Sequence, residues 1–283
     1  MYLFLPCGKL LNHKNSIISV PGRKRLFRAL LCFTVFMFLW TIYRMLSSSL
    51  DVLNLFILDS LIKPSLCLFS ILIVEDFKLP QFRIIGLSRN NALSSLLKGL
   101  MVTSIAWLSS FILVPFLLYG TCTLEFERNL AKIAIFSINF ILISGPFEEI
   151  FFRGYIFGQI RLAFDTSRLK LLAAIFFSSA LFSLSHLPIH LFVWKSGFYY
   201  TLLFITFAFI IGNLLAFIYL VTGNLFGAIV AHIEWNILSA FISIEELSTF
   251  HSYGLALVVF ATVFAFTSLL LYYLSNQRII AKL

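Results

Sequence analysis

The sequence is poor in charge. Lysine, arginine, aspartate and glutamate make up 12% of its 283 residues, and 12 side chains are acidic. A soluble fold with 60% hydrophobic residues, 34 of them phenylalanine, would expose a mostly apolar surface and precipitate. Cysteine is scarce as well. Cys7, Cys32, Cys67 and Cys122 are scattered without metal-ligand or redox spacing, which excludes a disulfide framework and a zinc knuckle. Short alternating segments are missing, which excludes a transmembrane β-barrel. Met1–Pro6 is too short and lacks the basic start of a signal sequence, so the first apolar run is expected to stay in the protein as a span. The net charge of +9 does not call for nucleic acid, because loop lysines and arginines facing anionic lipid account for it.

Long apolar runs fill the chain instead. They predict an all-α fold, a polytopic transmembrane helical bundle of about eight spans. Spans are expected over residues 29–46, 52–74, 96–119, 130 to the Glu148-Glu149 run, 171–187, 198–221, 225–241 and 253–274. A basic tail (1–28) leads into the N-terminal spans (29–125). A core with most of the intramembrane polar groups (126–242) follows, then a last span and short tail (243–283). Eight spans return both termini to one side. About 15 lysines and arginines fall on that side against 4 opposite, which makes the termini cytoplasmic by the positive-inside rule. These features predict an integral membrane protein, of the inner membrane if the host is bacterial, with the lipid bilayer as its partner. No internal or inverted repeat of broken helices is present, which speaks against a transporter.

A charge within the bilayer costs from about 3 to more than 10 kcal/mol, so an intramembrane ionisable residue is a candidate for function. The run Gly145–Gly154 holds Glu148, Glu149 and Arg153. Glu149 and Arg153, four apart, share a helix face and are expected to pair, leaving Glu148 about 100° away without that partner. Two carboxylates in unlike environments are a way to divide acid and base roles. Phe182 and His186 share a face in the fifth span, as do His232 and Asn236 in the seventh. In a bundle, sites are built where such faces meet. Taken singly, each has a structural reading: a packing histidine, Asn236 as interhelical glue, Glu149–Arg153 as a lock. Glu234 points away from the His232 face and suits a lateral polar contact. Pro188, between His186 and His190, is expected to end its helix, which argues against His190 as a ligand. Asp59 and Lys63, four apart with the acid first, are expected to pair with each other.

At these residues the sequence resembles the CPBP family, which includes the CAAX prenyl endopeptidases and bacterial Abi-type membrane proteins. The family pattern is met in order by Glu148-Glu149-x-x-x-Arg153, Phe182-x-x-x-His186 and His232-x-x-x-Asn236, over roughly residues 130–240. The resemblance implies an all-helical intramembrane endopeptidase acting on a membrane-tethered protein or peptide substrate, as in CAAX processing. It implies Glu148 as general base with His186 beside it, His232 and Asn236 at the oxyanion, and Glu149, Arg153 and Phe182 in support. The glutamate mechanism needs no metal, and none is favoured. A catalytic zinc (Zn2+) would need about three ligands, and Glu148, His186 and His232 would be the set. The His-Glu-x-x-His zinc motif is absent, as are the Gly-x-Ser-Gly of rhomboid-like and the Gly-x-Gly-Asp of presenilin-like proteases. Two other functions use the same polar residues. One is a non-catalytic immunity or scaffold protein, against which the complete motif set argues. The other is a proton or metal transporter, which would show flux without cleavage.

Overall fold

The computed structural model describes residues 21–76, 85–164, 168–247 and 250–280, with the side chains of residues 168, 250–252 and 270–280 left aside. Residues 1–20 of the basic tail, with Lys9 and Lys14, lie outside it, as do Lys78, Arg83, Asp165 and Lys282. The chain is an all-α membrane bundle. Its helices are α1 (Gly22–Leu46), α2 (Val52–Val74), α3 (Ala92–Tyr119), α4 (Leu130–Ala163), α5 (Leu169–Val193), α6 (Phe198–Thr222), α7 (Leu225–Phe241) and α8 (Phe250–Ile280). The first six are long and apolar enough to cross a membrane, while α7 and the apolar stretch Tyr253–Leu269 of α8 are shorter.

Local chemistry sets the helix ends. Asp51 caps α2, its carboxylate accepting from the N–H groups of Leu53 and Asn54 at 3.0 Å each. Asn129 caps α4 through Lys132 N–H at 3.1 Å, and Asn224 caps α7 through Phe226 N–H at 3.2 Å. Gly223 closes α6 at φ 65°, a left-handed position that suits glycine.

α4 departs from the expectation. It does not end at the two glutamates but runs for 34 residues, with π-helical stretches at Asn139–Ser144 and Ile150–Phe157. Pro146 cannot donate to the backbone ladder, and the helix is widened just upstream of it. Beyond the glutamates, Phe151, Phe152, Tyr155, Ile156, Phe157 and Ile160 are all buried, so hydrophobic packing carries the helix on through Arg161. α5 also differs. Its turn falls at Ser185–His186, with helix resuming at Leu187 and continuing to Val193. Pro188 leaves the Leu184 carbonyl without its usual i+4 donor, so the break appears one turn before the proline rather than at it.

The two ends of the bundle are tied separately. At one, Arg28 of α1 pairs with Glu75 at 3.0 Å, and Glu75 also accepts from Tyr155 and Gln159 of α4. At that end, too, Asn224 donates to the carbonyls of Ser88 and Asn90, and Asn91 donates to that of Thr222. At the other end, β1 (Leu124–Phe126) pairs antiparallel with β2 (Ile242–Ile244). α7 therefore runs from one end to the other in 17 residues. The helices alternate in direction and make about eight passes.

α7 crosses α3 closely enough to exclude any side chain. A Cβ on Gly99 would lie 2.2 Å from the Gly227 carbonyl oxygen, and one on Gly227 would lie 2.7 Å from Ser95 Oγ. Small residues at such a crossing let dispersion replace the hydrophobic effect that lipid cannot supply. This contact seats α7 beside the middle of α4. There the close approach recurs, with a Cβ on Gly145 falling 2.4 Å from Ile233 Cγ1.

Candidate active site

The polar cluster forms around the short α-helical turn Gly145–Glu149, held between the two π-helical stretches of α4. π-helical turns within a helix recur at functional sites. Glu149 is fully buried, and Arg153, His232 and Glu148 are 2%, 5% and 6% exposed. Such groups persist in an apolar bundle only if paired.

Glu149 is the anchor. Its Oε1 accepts from Arg153 Nη1 at 2.6 Å and from His232 Nδ1 at 2.8 Å. Arg153 in turn donates to the Gly212 carbonyl of α6 at 3.3 Å, and its guanidinium lies 4.1 Å from the Phe182 ring centre. One carboxylate thus ties α4 to α5, α6 and α7. Because Nδ1 of His232 donates to Glu149, its Nε2 is the nitrogen directed at the remaining glutamate.

Glu148 is held differently. Its Oε1 accepts from Lys63 Nζ at 2.6 Å and from Ser144 Oγ at 2.7 Å. Its Oε2 lies 3.9 Å from His232 Nε2, beyond hydrogen-bonding range. Neither atom has a hydrogen bond among the described residues. His186 joins the cluster through Phe182. Its Nδ1 sits 3.0 Å from the Phe182 carbonyl, so that nitrogen carries the proton and Nε2 keeps a lone pair. Phe182 packs edge-on against both imidazoles, 4.9 Å from His186 and 5.9 Å from His232.

No curated protein matches the chain, but residues 130–238, somewhat under half of it, match the Rce1-like family model, described as type II CAAX prenyl endopeptidase. The match supports a CPBP/CAAX protease assignment for this segment.

Glu148, Glu149, Arg153, Phe182, His186, His232 and Asn236 all lie within this CPBP segment, and the fold brings the first six together. Asn236 follows one turn after His232 on α7. It is half-buried and makes no hydrogen bond among the described residues. Glu234 turns away, accepting from Ser104 Oγ of α3 at 2.5 Å. His190 is set apart, with Nδ1 at 3.0 Å from Ser196 Oγ and its ring against Trp194 and Phe204.

One expectation is corrected. Asp59 and Lys63 do not pair. Asp59 accepts from Arg44 and from Tyr43 Oη at 2.7 Å each, while Lys63 reaches across to Glu148. An Asp59–Lys63 pair would have left Arg44 and Glu148 buried without counter-charges, the costlier arrangement. Glu148 consequently has a cationic partner of its own. The partner comes from α2, outside the CPBP segment, and the signal for it was a lysine amid an apolar span.

A divalent metal would draw on Glu148 Oε2 and the Nε2 atoms of His186 and His232. Among the described residues no three His, Cys, Asp or Glu side chains gather to hold one. Lys63 already occupies Glu148 Oε1, and Nδ1 of His232 is committed to Glu149.

Proposed function

We propose that this protein is an intramembrane endopeptidase that hydrolyses peptide bonds of membrane-associated protein or peptide substrates, in the manner of CAAX processing. The family match supports CAAX-type protease activity in general. The observation that carries the finer reading is the pair of unbonded atoms midway along the bundle, Glu148 Oε2 and His232 Nε2, 3.9 Å apart. A separation of that kind invites a bridging water.

In this reading Glu148 Oε2 takes a proton from the water as its oxygen attacks the scissile carbonyl. His186 lies beside that water. The proton then passes to the leaving amine, which closes the hydrolysis without a lasting charge. His232 and Asn236 stabilise the tetrahedral oxyanion, a role worth about 3 to 4 kcal/mol per donor; His232 serves it with Nε2 protonated. Glu149 and Arg153 hold His232 and Phe182 in place. No step runs through a metal. The chemistry is assigned to the core of residues 126–242, and both termini to the cytoplasmic face, with the inner membrane as the location in a bacterial host.

The test is proteolysis by purified protein in liposomes, with membrane-tethered peptides that include a prenylated CAAX peptide. Cleavage abolished by Glu148→Gln and His186→Ala but insensitive to chelator is the expected result. Cleavage untouched by Glu148→Gln overturns the site. Chelator sensitivity reversed by zinc overturns the metal-free mechanism. Ion flux without cleavage points to a transporter instead.

A further inference from the structure

Among the described residues of the matched segment, no basic side chain lies within salt-bridge distance of Glu148 apart from the imidazole of His232 at 3.9 Å. The counter-charge comes from α2. Lys63 Nζ sits 2.6 Å from Oε1, 3.4 Å from Ser144 Oγ and 5.3 Å from the centre of the Trp40 ring. Trp40 belongs to α1, and its indole N–H donates to the Ser185 carbonyl at 3.1 Å, immediately before His186. Two helices outside the matched segment are therefore fastened to the candidate site, one at Glu148 and one beside His186.

The geometry separates the two carboxylate oxygens. Oε1 receives two donors, Lys63 from α2 and Ser144 from one turn back on α4. With that oxygen held, rotation of the carboxyl group is arrested and Oε2 stays directed at His232 Nε2. We propose that Lys63 is a positioning residue of the hydrolytic site, its ammonium clamping Oε1 with Ser144 so that Oε2 is presented as the proton acceptor. The proposal rests on the endopeptidase reading above. It makes the N-terminal spans part of the machinery rather than an anchor for it.

A purely structural ion pair would lower the amount of folded protein and leave the turnover of each folded molecule unchanged. A positioning role predicts a split in the kinetics. With the liposome assay calibrated to folded protein, Lys63→Met is expected to lower kcat by at least about tenfold, since small misplacements of a catalytic group are costly, with KM little changed. Lys63→Arg restores a cation and should recover part of the loss. Ser144→Ala, which leaves the ammonium in place, should show a smaller loss. Wild-type kcat in Lys63→Met, with Glu148→Gln inactive, overturns the proposal and spares the endopeptidase reading. Wild type and Glu148→Gln behaving alike overturns the endopeptidase reading itself. If Lys63→Met does not fold, Lys63→Arg and Ser144→Ala decide by the same split. Thermal stability of Lys63→Met, Glu148→Gln and the double variant reads the pair without any substrate, and strictly additive effects would overturn it.

Discussion

Arg153 shows what a single side chain carries. It is buried against a fully buried carboxylate, bonds the Gly212 carbonyl and covers Phe182. Removing one partner of such a pair leaves the other charge stranded at a cost of about 3 to 5 kcal/mol. Arg153→Met is therefore expected to lower the thermal midpoint in detergent markedly. Adding Glu149→Gln should recover part of the loss, because the two sites share one interaction. A single variant as stable as wild type would contradict the pairing. Glu234 is the contrasting case. It is held by Ser104 on the α3 side, so Glu234→Gln should leave peptide cleavage unchanged where Glu148→Gln abolishes it.

At the scale of elements, two features position the cluster. The first is the α3–α7 crossing, where a Cβ on Gly99 meets the Gly227 carbonyl at 2.2 Å. Gly99→Leu would force the helices apart, at the roughly 1 to 3 kcal/mol typical of overpacking or more, and displace His232 from Glu149. Both effects are measurable, as a lower thermal midpoint and as loss of cleavage. The second is the break in α5 caused by Pro188. Pro188→Ala restores a backbone donor to the Leu184 carbonyl and straightens the turn that holds His186. The expected outcome is a lower kcat with an unchanged or higher thermal midpoint. Lower stability with unchanged kcat would show that the break does not serve the site.

For the whole molecule, the end-to-end ties lead to a topology that can be measured. Ser88 lies at the end shared by the α2–α3 and α6–α7 connections, and Ser196 in the α5–α6 connection at the other. Cysteines placed at these two positions should label from opposite faces of a sealed vesicle. Labelling of both from one face would contradict the eight-pass arrangement. The end marked by the β1–β2 pair also carries a pH-dependent clamp. The Thr123 N–H and nearby threonine hydroxyls hold the Glu246 carboxyl below its ordinary range. A carboxyl lowered in the folded state contributes its stability above the unfolded value and loses it as the pH falls through the folded one. Protection of the Thr123–Phe126 amides against hydrogen exchange, taken relative to the intrinsic rate at each pH, should thus hold into mildly acidic conditions and fall below the ordinary carboxylate range. Glu246→Gln should remove that dependence.

The sequence by itself determined the fold class, because 60% apolar residues in long runs can satisfy their backbone only as helices in lipid. It also determined the Glu149–Arg153 pair, since residues four apart on a helix must face the same way. The motif spacing brought Phe182, His186 and His232 under notice before any helix was placed. Tertiary structure alone decided which counter-charge each acid would take. Asp59 and Lys63 had the right spacing for each other, yet Arg44 claimed the first and Glu148 the second. Local spacing fixes which side chains are able to meet along one helix. Between helices the choice is made by the packing that strands the fewest buried charges, and that sum runs over the whole bundle. For the same reason the length of α4 beyond its glutamates was hidden. It depends on the pocket that buries Phe151, Phe152 and Phe157, which exists only once the other helices are in place.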